Sequence, residues 1–98
     1  MDYVVSKKKG PHGLLIVVTD SNILGKIFEE NKLQLDLSKE FYQGEKTTKD
    51  EVKKIMLISR DLHLTGKKSV ALGVEMDLVD STKILFVQKV PHAEVVIG

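Results

Sequence analysis

The chain has no cysteine and no tryptophan, only two prolines, and few aromatic residues, two Tyr and three Phe. Without cysteine there is neither a disulfide framework nor a thiolate metal site, which fits a reducing cytosol. No apolar run approaches the roughly 20 residues of a membrane-spanning helix. The opening MDYVVSKKK lacks the order of a secretory signal, so a cytoplasmic protein with no membrane partner is expected. Charge of one sign is lacking as well. Lys and Arg number 15 against 14 Asp and Glu, a net charge of +1. Splitting after Lys49 leaves 8 basic and 7 acidic residues before the cut and 7 of each after it. Any nucleic-acid surface must therefore be local, since bulk positive charge is absent.

Motifs of chemistry are equally scarce. Gly10, Gly13, Gly25 and Gly44 make no G-x-G-x-x-G and no P-loop, and there is no G-x-S-x-G. The three histidines, His12, His63 and His92, show none of the close spacing at which helices and loops present zinc ligands. From sequence, then, no metal and no cofactor are expected, and an enzyme is the weaker class.

What is present is ordinary globular material: 98 residues, 42% hydrophobic and 30% charged, enough for one core and one domain. DYVVS from Asp2 and LLIVVT from Leu14 are β-branched runs split by KKKGPHG, which predicts a hairpin with a basic tip. The second run is apolar almost throughout, so it belongs inside the sheet. Asp20 and Ser21 are candidate caps for a helical turn ended by Gly25. Lys26 to Glu29 and the alternating Leu33 to Leu37 predict a second hairpin, although KIFEE can also continue the preceding turn as helix. Ser38 can cap a single turn that contains Phe41.

Thr48 and Glu51 have the spacing of a capping box, opening an amphipathic helix from Lys49 to Leu62. On it Leu57 falls among polar residues, and His63 suits the negative helix end. A second helix, Lys67 to Val79, is organised around SVALGVEMDLV. Its two apolar stripes predict burial between two layers, with Gly73 permitting close backbone approach. Lys83 to Gln88 is read as a core strand and Ala93 to Ile97 as a last strand, suited to an edge after Pro91. The fold expected is α+β, a mixed or antiparallel sheet of about five or six strands packed by the helix pair Lys49 to Leu62 and Lys67 to Val79.

Four groups of residues carry candidate functions. His12 and His92 both follow proline, and if their strands are neighbours the imidazoles can converge with Asp20 or Glu94 as acid, base or ligand; otherwise they are turn histidines on a solvated rim. Lys7, Lys8 and Lys9 can grip phosphate, or simply be a solvated loop. Phe41 and Tyr42 can stack an unpaired base, with Lys46 nearby and Tyr3 and Phe28 as further aromatics, or can anchor their turn on the core. Leu57, if exposed, offers a contact for a homodimer or another protein.

Read together, VVTDSNILGKIFEE, LQLDLSKEFYQGE, LTGKKSVALGVEMDLVD and the terminal VPHAEVV resemble the archaeal domain-of-unknown-function 424 family. The matching positions are Asp20, Leu24, Gly25 and Lys26, then Phe41, Tyr42, Gly44 and Glu45, then Pro91, His92 and Ala93. FVQKVPH departs from the more glycine-rich approach to Pro-His that the resemblance implies. The resemblance implies a small archaeal cytosolic protein and brings no reaction with it. The function expected from the residues is a non-catalytic binding module for RNA or a ribonucleoprotein, with Lys7, Lys8, Lys9, Phe41, Tyr42 and His92 as contacts. A homodimeric or protein-interaction adaptor using Leu57 or the edge of the last strand, and a small enzyme using His92 and His12, are the alternatives.

Overall fold

The computed structural model describes residues 1 to 96. Strands β1 (Tyr3–Gly10) and β2 (Gly13–Asp20) form the expected hairpin, with every residue from Tyr3 to Gly10 paired to one from Asp20 to Gly13. The lysine run is thus mostly strand, and only Pro11 and His12 make the tip. After a 3-10 turn at Ser21–Ile23, β3 (Ile27–Glu30) and β4 (Leu33–Asp36) form a separate two-stranded hairpin, as the strand reading of KIFEE expects. A second 3-10 turn at Glu40–Tyr42 leads to β5 (Glu45–Thr47), helix α1 (Lys49–Leu57), β6 (Asp61–Thr65) and helix α2 (Lys67–Glu75). A further 3-10 turn at Ser81–Lys83, β7 (Leu85–Val87) and β8 (Val90–Val96) complete the chain. Ile97, at the end of the expected closing strand, lies outside the described residues.

The main sheet is mixed and runs β5-β1-β2-β6-β8-β7, with β2 and β6 parallel and the other pairs antiparallel. This is the α+β architecture expected, one sheet face covered by two helices. Strands alternate their side chains between faces. Ile16 and Val18 of β2, Leu62 and Leu64 of β6, and Ala93 and Val95 of β8 therefore meet Val52 and Met56 of α1 and Val70 and Leu72 of α2 in one core. A smaller core on the opposite face joins Leu35 and Leu37 of the separate hairpin region to Val87 and Val90, with Phe28 and Tyr42 packed against it.

Several boundaries differ from expectation, each for a physical reason. The first helix stops at Leu57, where the Ser59 N–H turns back to the Met56 carbonyl, 3.2 Å. Leu62 and Leu64 then alternate into the sheet interior, fully buried, rather than extending a helical stripe. The Thr48 cap forms, accepting from the Glu51 N–H at 3.4 Å.

The second helix stops at Glu75, not Val79, and only one of its sides is covered. Ala71, Val74 and Glu75 face solvent, so the expected burial between two layers is not what forms. The second stripe of apolar residues is explained by the chain's reversal after Asp77 (φ +60): Leu78 and Val79 both donate backbone N–H groups to the Gly73 carbonyl and pack onto the main core. Gly73 does serve close approach, since a Cβ there would meet Leu64 and Val79.

Two strands also exchange roles. Lys83 to Gln88 yields only β7, an edge strand with Leu85 and Phe86 exposed, whereas β8 is interior, between β6 and β7. Pro91 is inside β8, paired with Phe86 rather than breaking the strand.

Candidate functional site

On the face away from the helices, sheet register stacks side chains in rows. One row runs Ser6, Val17, His63, Glu94; the next runs Val4, Thr19, Thr65, His92. Adjacent rows on one face of a sheet lie two residues apart, about 7 Å, so long side chains from both can meet. They do so at Glu94. Its Oε1 lies 3.8 Å from His63 Nε2 and 3.7 Å from His92 Nε2, and the two imidazole rings are 5.7 Å apart between centroids. One ligand atom from each of the three residues falls within 4.8 Å of the others.

The second nitrogen of His92 is held from behind. Thr65 Oγ1 and His92 Nδ1 share a hydrogen bond of 2.8 Å. With Nδ1–H donating to that oxygen, the Nε2 lone pair is left directed at the cluster, the outer-shell arrangement that orients metal-bound histidines. Burial and the neighbouring His63 hold the His92 imidazole below its ordinary pKa, with Glu94 pulling the other way. Its neutral form, the one a metal needs, is thereby favoured at neutral pH.

The surroundings are aromatic on one side. Phe41 meets His63 edge-on at 5.4 Å and Tyr42 at 5.0 Å. Tyr42 also packs on the smaller core, and burial together with Asp36 and Glu94 raises its phenol pKa. The histidine side chains are mostly covered, at 22% and 13% exposed, whereas Glu94 is 64% exposed. The trio therefore has a dry floor and an open mouth.

Geometry fits a small divalent cation. Zinc bonds of about 2.0 to 2.1 Å at tetrahedral angles need donors about 3.3 Å apart. The Glu94 oxygen lies about 0.4 and 0.5 Å farther than that from the two imidazole nitrogens, and all three donors fall within 4.8 Å of one another, so closing on an ion requires Glu94 and the imidazole side chains to adjust inward. Two imidazoles and one carboxylate are a borderline donor set suited to zinc and its neighbours, and three protein ligands leave a position for water.

Thr19, beside Thr65 in the row, is fully buried, and its hydroxyl has no hydrogen-bond partner among the described residues. Replacing it with valine keeps the shape and removes an unsatisfied group. Thr19→Val is expected to stabilise the fold by about 1 kcal/mol, a rise of roughly 4 °C in a thermal melt. A lower midpoint would mean that the hydroxyl is satisfied in solution.

Of the residues singled out from sequence, His92, Phe41 and Tyr42 come together here, and the pairing of His92 with Glu94 forms. His12 does not join them. It sits exposed at the hairpin tip, beside Lys7 and Arg60 in a separate pocket. Asp20 does not join either; its buried carboxylate accepts from the backbone N–H of Lys68 (2.9 Å) and Ser69 (2.8 Å) and from the Ser69 hydroxyl (2.7 Å). It thus caps α2 rather than the turn that follows it, whose own cap has no side-chain bond.

Lys7 and Lys8 line a groove with Gln43, Gly44 and Glu45, and the register of β1 places Lys8 one row beyond Ser6, away from His92. Leu57 is 72% exposed at the end of α1, next to an equally bare Ile58.

His63 and Thr65 escape the sequence reading because the helix pattern runs to Leu62 and Leu64 to Gly66 reads as a connector. The signal that finds them is alternation: Leu62 and Leu64 apolar, His63 and Thr65 polar, matched by Ala93 and Val95 against His92 and Glu94.

No curated protein matches the sequence. The crystal structure of an uncharacterized conserved protein from Methanopyrus kandleri is similar in fold, with a TM-score of 0.76 over 98% of this chain and 93% of that one, at 15% identity. The sequence profile described as protein of unknown function, DUF424, matches residues 8 to 97. With the match covering all of the chain but its first seven residues and its last, the chain belongs to the DUF424 family.

Proposed function

We propose that the protein binds a first-row divalent cation of the zinc class, held by His63 Nε2, His92 Nε2 and a Glu94 carboxylate oxygen, with at least one coordination position open to water or ligand. The observation that carries this reading is the meeting of three donors from two neighbouring strands around one point, with Thr65 bonded to the second nitrogen of His92. Burial and His63 work against charging His92 while Glu94 favours it, and the two contacts to Glu94, 3.7 and 3.8 Å, are longer than hydrogen bonds, which leaves the space between the three donors to an ion. A cation of this kind acidifies the water that completes its shell. In that setting Glu94 neutralises part of the added charge, Thr65 fixes the ring of His92, and Phe41 keeps one side of His63 dry.

The test is a zinc titration of untagged protein against a chromophoric chelator. One equivalent should bind, His63→Ala and His92→Ala should each weaken binding by at least about tenfold, and His12→Ala should leave it unchanged. Binding that survives loss of His92, or that vanishes with His12, contradicts the assignment.

A further inference from the structure

A second feature lies at the end of the sheet where β6 passes into α2. Here a cleft of about 450 Å³ opens between the Asn22 to Phe28 segment, the start of α2 and the β7–β8 turn. Four lysines line it, Lys26, Lys67, Lys68 and Lys89, drawn from three separate parts of the chain. For a protein of net charge +1 this is a concentrated positive field.

The local carboxylates offset part of it and, among the described residues, leave three of the lysines without an ion pair. Asp20 is bonded to the α2 backbone and Ser69, Glu30 accepts from the Gln88 N–H at 2.7 Å, and Asp2 pairs with Lys68 at 3.3 Å. Among the described residues, no carboxylate lies within ion-pair distance of Lys26, Lys67 or Lys89. Three exposed lysines that line one cleft and have no such carboxylate offer an anion unpaired positive charge. The cleft also has an apolar wall, made by Ile23, Phe28 and Val90, where a base or sugar can rest while its phosphate meets the lysines.

We propose that this cleft binds the phosphate of a nucleotide unit, with Lys26, Lys67 and Lys89 as the anion contacts and Phe28 beside the base. The α2 terminus is not the basis of the site, because its Lys68 and Ser69 N–H groups are already taken by Asp20. Phosphate of this kind is offered by single-stranded RNA and by free nucleotides alike. The site is independent of the His63, His92 and Glu94 trio, so neither assignment stands or falls with the other.

The test is fluorescence anisotropy with a labelled ten-nucleotide oligouridylate, and in parallel calorimetry with ADP, at low salt in the presence of a chelator. The variant Lys26→Ala/Lys67→Ala/Lys89→Ala is compared with Lys39→Ala/Lys54→Ala/Lys83→Ala, which makes the same change in net charge at exposed positions outside the cleft. All three cleft lysines are exposed, and circular dichroism should show both variants folded.

The expected result is binding that the cleft variant weakens at least tenfold and the other variant preserves. For the oligonucleotide, the slope of log affinity against log salt should become shallower by about 2, some 0.7 per lost phosphate contact. Binding of the oligonucleotide places the phosphate in RNA; binding of ADP alone places it in a free nucleotide. Failure of both probes to bind, or equal binding by the cleft variant, overturns the proposal.

Discussion

Asp20→Ala is expected to lower the thermal midpoint by 12 °C or more, the largest loss from any single polar substitution in this fold. The Asp20 side chain is 4% exposed and accepts three hydrogen bonds, two of them from the backbone at the start of α2. Charge-assisted bonds contribute roughly 1.5 to 3 kcal/mol each, and a lost helix cap about 1. Because the three share one carboxylate and water can enter the gap, their sum is reduced to about 3 to 4 kcal/mol. For a domain of this length that is about 12 to 16 °C.

Two further variants separate capping from packing. Asp20→Asn keeps one acceptor and should recover part of the loss. Gly66→Ala should resemble Asp20→Ala, since Gly66 has φ +108 and a Cβ there would run into the Asp20 side chain. A drop of only a few degrees for Asp20→Ala would show that α2 does not depend on this carboxylate.

The second large effect is stabilisation by metal. A ligand that binds only the folded state at one hundred times its dissociation constant adds about 2.7 kcal/mol, or about 10 °C here. Zinc should therefore raise the midpoint of the untagged protein by about 10 °C, and a chelator should remove the rise. Glu94→Gln should lose most of the shift while lowering the metal-free midpoint only slightly, because Glu94 is exposed and its contacts to the two imidazoles are long, 3.7 and 3.8 Å. The measurement is a scanning calorimetry series with and without zinc. An equal rise in the Glu94→Gln and His92→Ala variants would contradict the site.

The legible parts of the fold were those whose signals are local. The unbroken apolar run at Leu14 to Val18 marked an interior strand, KKKGPHG marked a reversal, and Thr48 with Glu51 marked a helix start. All three arise within a few residues of one another. What was not legible depends on contacts between distant segments. The helix α1 ends at Leu57 without a glycine or proline, so Leu62 continues the helical pattern in sequence while it alternates with Leu64 into the sheet in space. Extending the helix to Leu62 and reading Leu64 to Gly66 as a connector puts His63 at a helix end and hides the candidate site.

The same limit governs the partners. His63 and His92 meet only because β6 and β8 are antiparallel neighbours, and Asp20 finds Ser69 across 49 residues. Spacing along the chain carries neither fact. The Pro-His repetition drew His12 toward His92, yet His12 belongs to the hairpin tip at the other end of β2. By contrast, the FY turn and His92 were singled out for their chemistry and do lie together, with His63 between them.

The most direct measurement is an anomalous difference map from crystals of the untagged protein soaked in zinc, collected on both sides of the zinc edge. The account predicts one strong peak, about 2.0 to 2.2 Å from His63 Nε2, His92 Nε2 and a Glu94 carboxylate oxygen, with Thr65 still bonded to His92 Nδ1. A map with no peak between β6 and β8, or with zinc only at His12 or other surface groups, would contradict it.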